Sequence, residues 1–177
     1  MALDSDNVRV GVSGAVYVAP VDTTGPTDSS TALDNAFTDL GYVSADGITE
    51  TIDRTTNQIR AWQNGSLVRE VTSEGTYSVE LMFIETSQAV LELYYGSSVT
   101  AGALDGDPTA TGGRQSFVID VVDGDIVERV YIPSGEITSV GERTIATGEA
   151  IGYMVTITAY ADASKTTFKK FFSQLES

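Results

Sequence analysis

The chain has 177 residues, enough for one domain with a sizeable apolar core, and its 10 basic and 25 acidic side chains give a formal net charge of −15. It contains no cysteine and no histidine, which excludes disulfides, thiolate nucleophiles, cysteine- or histidine-ligated metals and every catalytic relay built on imidazole. The acidic balance argues against affinity for nucleic-acid phosphates, because that binding needs Lys and Arg to displace condensed counterions.

The opening MALDSDNVRV carries two aspartates where an export signal needs a basic stretch and an apolar run. No later window approaches the ~18 continuous apolar residues of a membrane span, so a soluble protein made in the cytoplasm is expected. A first strand is predicted over Gly14 to Pro20, stopped by a proline that cannot donate to a ladder. Val21 to Phe37 strings together Gly, Pro, Ser, Thr and Asp without apolar period, which is loop composition. So long a connection suggests a segment that orders only against a partner.

The block Gly41 to Gly96 reads as three or four strands, long polar hairpin arms and one short helix. Asn64-Gly65 is a strong hairpin signal, since both residues tolerate the positive φ of a tight primed turn. Ile59, Trp62, Leu67 and Val68 lie on that arm beside Arg60 and Arg69. Tyr77, Val79, Leu81 and Phe83 alternate with Thr76, Ser78 and Glu80, giving a half-buried strand whose polar face is interrupted by Met82 and Ile84. The following helix is the nearest cover for that interruption. It spans Ser87 to Tyr95, with Val90, Leu91 and Tyr94 on one side, Thr86 or Ser87 as cap and Gly96 as the left-handed stop.

Arg114 to Ile132 is a hairpin turning on Asp123-Gly124-Asp125. Pairing Val122 with Val127 sets Asp120 opposite Arg129 and Phe117 opposite Ile132; a slip of one residue would mix charged and apolar groups on one face. In Ile151 to Ala161, Ile151, Tyr153, Val155, Ile157 and Ala159 point inward against Gly152, Met154, Thr156, Thr158 and Tyr160. Roughly seven to nine closely spaced strands and one helix predict an all-β, mainly antiparallel two-sheet sandwich or barrel with a flanking helix, in one domain spanning 1–177.

Two Asp-Gly-Asp triplets, at 105–107 and 123–125, look superficially like calcium ligands. Neither continues into the acidic loop that such a site needs, and Asp-Gly is ordinary turn chemistry, so no metal and no cofactor is expected. Glu70, Glu74, Glu80, Glu85 and Glu92 could supply a glycosidase pair, but nothing singles out two of them. No enzymatic activity is expected.

The stretch Asp46 to Arg69 and the helix SQAVLELYYG resemble the tail-tube (major tail) proteins of long-tailed bacteriophages. The resemblance implies a tail-tube fold similar to that of the type VI secretion tube protein. It also implies hexameric rings stacked into a tube for genome delivery, and assembly arms near 21–39 and 55–68. By the same resemblance, the loop carrying Ile59, Trp62, Leu67 and Val68 reaches onto the next ring. Acidic and small polar positions, among them Glu80, Asp120, Thr156 and Thr158, are candidates for the lumen. The implied partners are further copies, a tape-measure protein, a tail terminator and tail-tip proteins. DNA passes through without specific binding, and the protein ends in the virion. A monomeric β-sandwich module that binds carbohydrate or protein, such as an adhesin or decoration domain, is the alternative.

Overall fold

The computed structural model describes residues 7–175; the acidic opening at 1–6 lies outside them. In chain order come β1 (Ser13–Pro20), β2 (Thr38–Asp39), β3 (Val43–Arg60), β4 (Leu67–Phe83), α1 (Gln88–Tyr95), β5 (Val99–Thr100) and β6 (Ala103–Leu104). After them follow β7 (Gln115–Asp123), β8 (Ile126–Val140), β9 (Tyr153–Ala159) and β10 (Lys169–Phe172). The main sheet is antiparallel and runs β2-β1-β7-β8-β9-β4-β3, with β10 added to β8. Gly41 to Gly96 thus holds two very long strands and a helix, where three or four shorter strands were expected. Among the described residues no helix is long and apolar enough to cross a membrane.

Strand β8 organises the fold. Its first part pairs with β7 in the expected register, Val122 with Val127, Asp120 with Arg129 and Phe117 with Ile132. The strand does not stop at Ile132. Pro133 and Ser134 together oppose Ser116, a bulge in which proline's missing N–H costs no ladder bond, and the Ser116 hydroxyl donates to the Pro133 carbonyl at 2.8 Å. From Gly135 onward β8 pairs with β9 on its other edge. Gly135 sits where the two pairings meet; a Cβ there would lie 2.8 Å from the Phe117 ring and 3.0 Å from Ile157.

One strand therefore serves two groups, β1-β7-β8 and β8-β9-β4-β3, whose inner faces share a core. Val16, Phe117, Ile119, Val130 and Ile132 come from the first group, and Tyr77, Val79, Leu81, Phe83, Tyr153, Val155, Ile157 and Ala159 from the second. The two-residue period read from β4 and β9 is the period of this burial. Each large aliphatic or aromatic side chain so buried stabilises the fold by roughly 1.5–3 kcal/mol.

Ser87 caps α1, accepting from the Val90 N–H at 3.3 Å, and Gly96 ends it at φ 64°. The buried pair is Val90 and Leu93, with Leu91 and Tyr94 only partly covered, so the helix is rotated from the face expected. It also covers the inner face and not Met82. Tyr94 meets Tyr153 edge-on at 5.4 Å and the Thr86 and Tyr153 hydroxyls are 3.1 Å apart, whereas Met82 pairs with the exposed Met154.

Segment 21–37 is irregular, as its composition dictates, but it is tied to its own domain. Arg129, only 7% exposed, donates to both oxygens of Asp120 at 2.7 and 2.8 Å and to the Thr31 carbonyl at 2.6 Å. The Tyr131 hydroxyl donates to the Thr23 carbonyl, and Asp28 accepts from the Ser30 and Thr31 backbone N–H groups at 2.8 and 2.6 Å. The expectation of order only against a partner fails because a buried guanidinium needs these carbonyls.

Candidate assembly surfaces

Two surfaces stand out, a projecting arm and a polar sheet face. The arm is the outer part of the β3-β4 ribbon. At its base the Tyr77 hydroxyl donates to Glu50 at 2.8 Å, Lys170 bridges Glu50 and Glu128 at 2.6 and 2.9 Å, and Phe168 stacks on Tyr77 at 4.0 Å. This clasp depends on β10, an element not read from the sequence. Beyond it, residues 51–60 and 62–76 are all exposed. From Ile52 to the turn the ribbon extends roughly 30 Å at the usual rise per residue.

Asn64 and Gly65 close the tip at φ 58° and 62°, the two positive values of a type I′ turn, and the Ala61 N–H donates to Ser66 at 2.8 Å. Trp62 is 98% exposed, with Ile59 at 51%, Leu67 at 49% and Val68 at 66%. Ile59 pairs with Arg69 and Arg60 with Leu67, with a register irregularity between the two pairs. Apolar groups therefore face both sides of the ribbon as well as its end. A two-stranded ribbon with nothing packed on it is marginal in water, so this one gains by being covered.

The second surface is the outer face of β3-β4-β9-β8. The pairings place Thr49, Glu80, Thr156 and Ser139 in one row across four strands, and Thr51, Ser78, Thr158 and Glu136 in the next. The Thr138 and Thr158 hydroxyls are 2.6 Å apart. These rows hold two carboxylates and no cation. Glu80, Thr156 and Thr158 are thus brought together as one patch. Asp120 is not part of it, because it lies on the other strand group in its ion pair with Arg129, under segment 21–37. Thr49, Ser78, Glu136 and Ser139 were missed. The alternation of β8 past Pro133 was the signal for the last two.

This sheet ends in strand edges without partners on both sides. β3 pairs only with β4, and beyond Gly135 the edge of β8 that faced β7 meets no strand among the described residues. Open edges invite pairing with another chain. The Asp-Gly-Asp triplets sit at turns: Gly124 at φ 61° closes β7 onto β8, where Asp123 pairs with Ile126, and Asp107 accepts from the Thr109 backbone and hydroxyl at 2.8 and 2.7 Å. Those bonds, the backbone one first, hold the Asp107 carboxyl below its usual pKa.

Two open edges on one sheet, and an apolar arm without cover among the described residues, are the surfaces this chain leaves unpartnered. The chain belongs to the phage tail tube protein family, whose model matches residues 1–174. No curated protein matches the sequence. Among solved structures it shares the fold of a chain in the cryo-EM sheath–tube complex of an extracellular contractile injection system, PVC, in its extended state. The TM-score is 0.51 at 8% identity, over 96% of this chain and 93% of that one. A chain from the virion of a native gene transfer agent particle aligns over 97% and 99% at 10% identity and TM-score 0.46. The protein is a structural subunit of a phage tail tube, and its family is not an enzyme class.

Proposed function

We propose that six copies close into a ring through the free edges of β3 and β8, and that rings stack into the tube through which the viral genome is delivered. The observation that carries this reading is the pair of open edges on one four-stranded sheet whose outer face carries two polar rows spanning all four strands. Edge-to-edge closure removes every exposed edge of that sheet and turns it into one continuous barrel. The face carrying Glu80, Thr156, Thr158 and Glu136 then lines the bore.

Each copy adds a formal charge of −15, and a bore without cations repels phosphates, so DNA slides without sticking. Lateral contacts close while axial contacts do not, which makes a filament of rings. Growth around a tape-measure protein in the host cytoplasm, a terminator at one end and tip proteins at the other complete the reading.

Negative-stain microscopy of the purified protein across a concentration series tests it, with rings or tubes expected at high concentration. Single compact particles at every concentration, and with viral assembly factors present, would sink it. Replacing Glu80 and Glu136 by Lys should leave tubes intact and slow genome ejection; unchanged ejection would remove this face from the bore.

A further inference from the structure

Residues 54–69, the distal arm, carry Arg54, Arg60 and Arg69, three of the chain's ten cations, and none of its 25 carboxylates; Asp53 and Glu70 bound the stretch. None of the three arginines is among the ion pairs of the described residues. In so acidic a chain the arm tip is a basic, apolar finger, and its complement is an acidic, apolar recess.

Such a recess exists on the same molecule. A groove of about 460 Å³ lies between the end of α1, residues 106–111 and the inner side of β8 beyond Gly135, lined by Leu93, Tyr94, Pro108, Ile137 and Val140. Its volume is in the range that accepts an aromatic group with aliphatic neighbours. Asp107 lines it, its carboxylate accepting from the Thr109 backbone N–H and hydroxyl at 2.8 and 2.7 Å. Asp105 and Glu142 flank the lining residues in sequence, and Arg143 is engaged with the Tyr95 and Tyr153 hydroxyls.

Finger and groove are at opposite ends of the sheet. β4 runs from the arm tip to Phe83, which pairs with Tyr153; Leu81 pairs with Val155, and Val155 with Val140. α1 follows at the Phe83 end. One chain cannot bring the two together, but a copy displaced along the strands presents its groove to the neighbour's finger, a head-to-tail contact that repeats without closing.

We propose that the Trp62 finger of one copy docks in the α1–β8 groove of a copy in the next ring, with Arg60 and Arg69 against Asp105, Asp107 and Glu142. This rests on the stacked-ring reading above and names the acceptor for its arm. Opposite charges at the rim set register and speed of docking, so tube growth slows as salt is raised.

The chain's lack of cysteine gives a clean test. Gln63→Cys with Val140→Cys, oxidised after assembly, should give a ladder of linked subunits on a denaturing gel, while neither single variant does. The sole tryptophan reports the arm separately: its emission, water-exposed in the monomer, should shift to the blue as tubes grow. A blue shift with tubes but no ladder overturns the groove and leaves the arm contact standing. Tubes without a blue shift overturn both.

A charge pair covers the case in which the double-cysteine chain does not assemble. Arg60→Glu with Arg69→Glu should raise the concentration needed for growth at least about tenfold. Adding Asp105→Lys and Glu142→Lys should restore it, and failure to restore, with every variant folded by thermal melt, overturns the proposal. Absence of rings for the unmodified chain sinks the stacked-ring reading and this one together.

Discussion

Segment 21–37 and the arm 51–76 are both long, polar and outside the core, yet one is fastened to the body and the other stands free. The difference is a single buried cation. Arg129 gives the segment a fixed point through the Thr31 carbonyl, and Tyr131 gives it a surface to lie on. The arm has regular strands and a well-formed turn, but beyond the Glu50–Lys170 clasp residues 51–60 and 62–76 are all exposed among the described residues. Regular backbone pairing is therefore not what fastens a segment to a domain; burial of side chains that need partners is.

Four measurements break or sharpen that contrast. The largest effect is expected from Arg129→Ala, which leaves the Asp120 carboxylate nearly buried and unpaired. Stability should fall by about 3–5 kcal/mol in urea titrations, and protease should cut within 21–37. An unchanged midpoint would mean that the segment is fastened elsewhere.

Gly25→Ala comes next. A Cβ there would sit 2.4 Å from the Tyr131 ring, so the segment must lift or the ring must turn, at a cost of about 1–3 kcal/mol. A loss of that size with proteolysis confined to 21–37 would localise the contact.

Acidification is milder. Hydrogen bonds from the Thr31 side chain and from Ser30 lower the Asp28 pKa from the ordinary 3.8 to about 2. The folded value lies below the unfolded one, so this stabilisation is fully present above the ordinary carboxylate range and is lost as pH falls towards 2. Amide exchange at Ser30 and Thr31 should speed up in that window, and Asp28→Asn should remove the pH dependence.

The smallest effect on the monomer is expected from Trp62→Ala, within about 0.5 kcal/mol, because an almost fully exposed side chain gives up no contact. The same variant should fail to stack in micrographs. A large drop in melting temperature would show that the arm packs on its own body and would collapse the contrast from the other side.

The sequence carried the fold wherever apolar alternation was uninterrupted. Tyr77 to Phe83 and Tyr153 to Ala159 have their inward faces where the two-residue period puts them, and Asp120 opposite Arg129 fixed the β7-β8 register because a slip mixes charge with grease. What was not legible turned on tertiary contacts. Pro133 looks like a strand end and is a bulge; Leu93 outranks Leu91 because the rotation of α1 is set by Tyr153; β10 is four residues whose burial depends on Tyr77 and Glu50. Among the surface candidates, Glu80, Thr156 and Thr158 share a face because adjacent strands bring them into register. Asp120 could not be separated from them without knowing that its partner lies beneath segment 21–37.

The passage of β8 through both strand groups has a mechanical consequence. Because one continuous backbone is common to both halves, with Gly135 wedged between Phe117 and Ile157 at the crossing, the two strand groups cannot slide past one another there. Flexure of an assembled tail then falls on the joints between copies, and averaged images of curved tails should show undistorted subunits with displaced arms. Subunits sheared at Gly135 would place the compliance inside the protein instead.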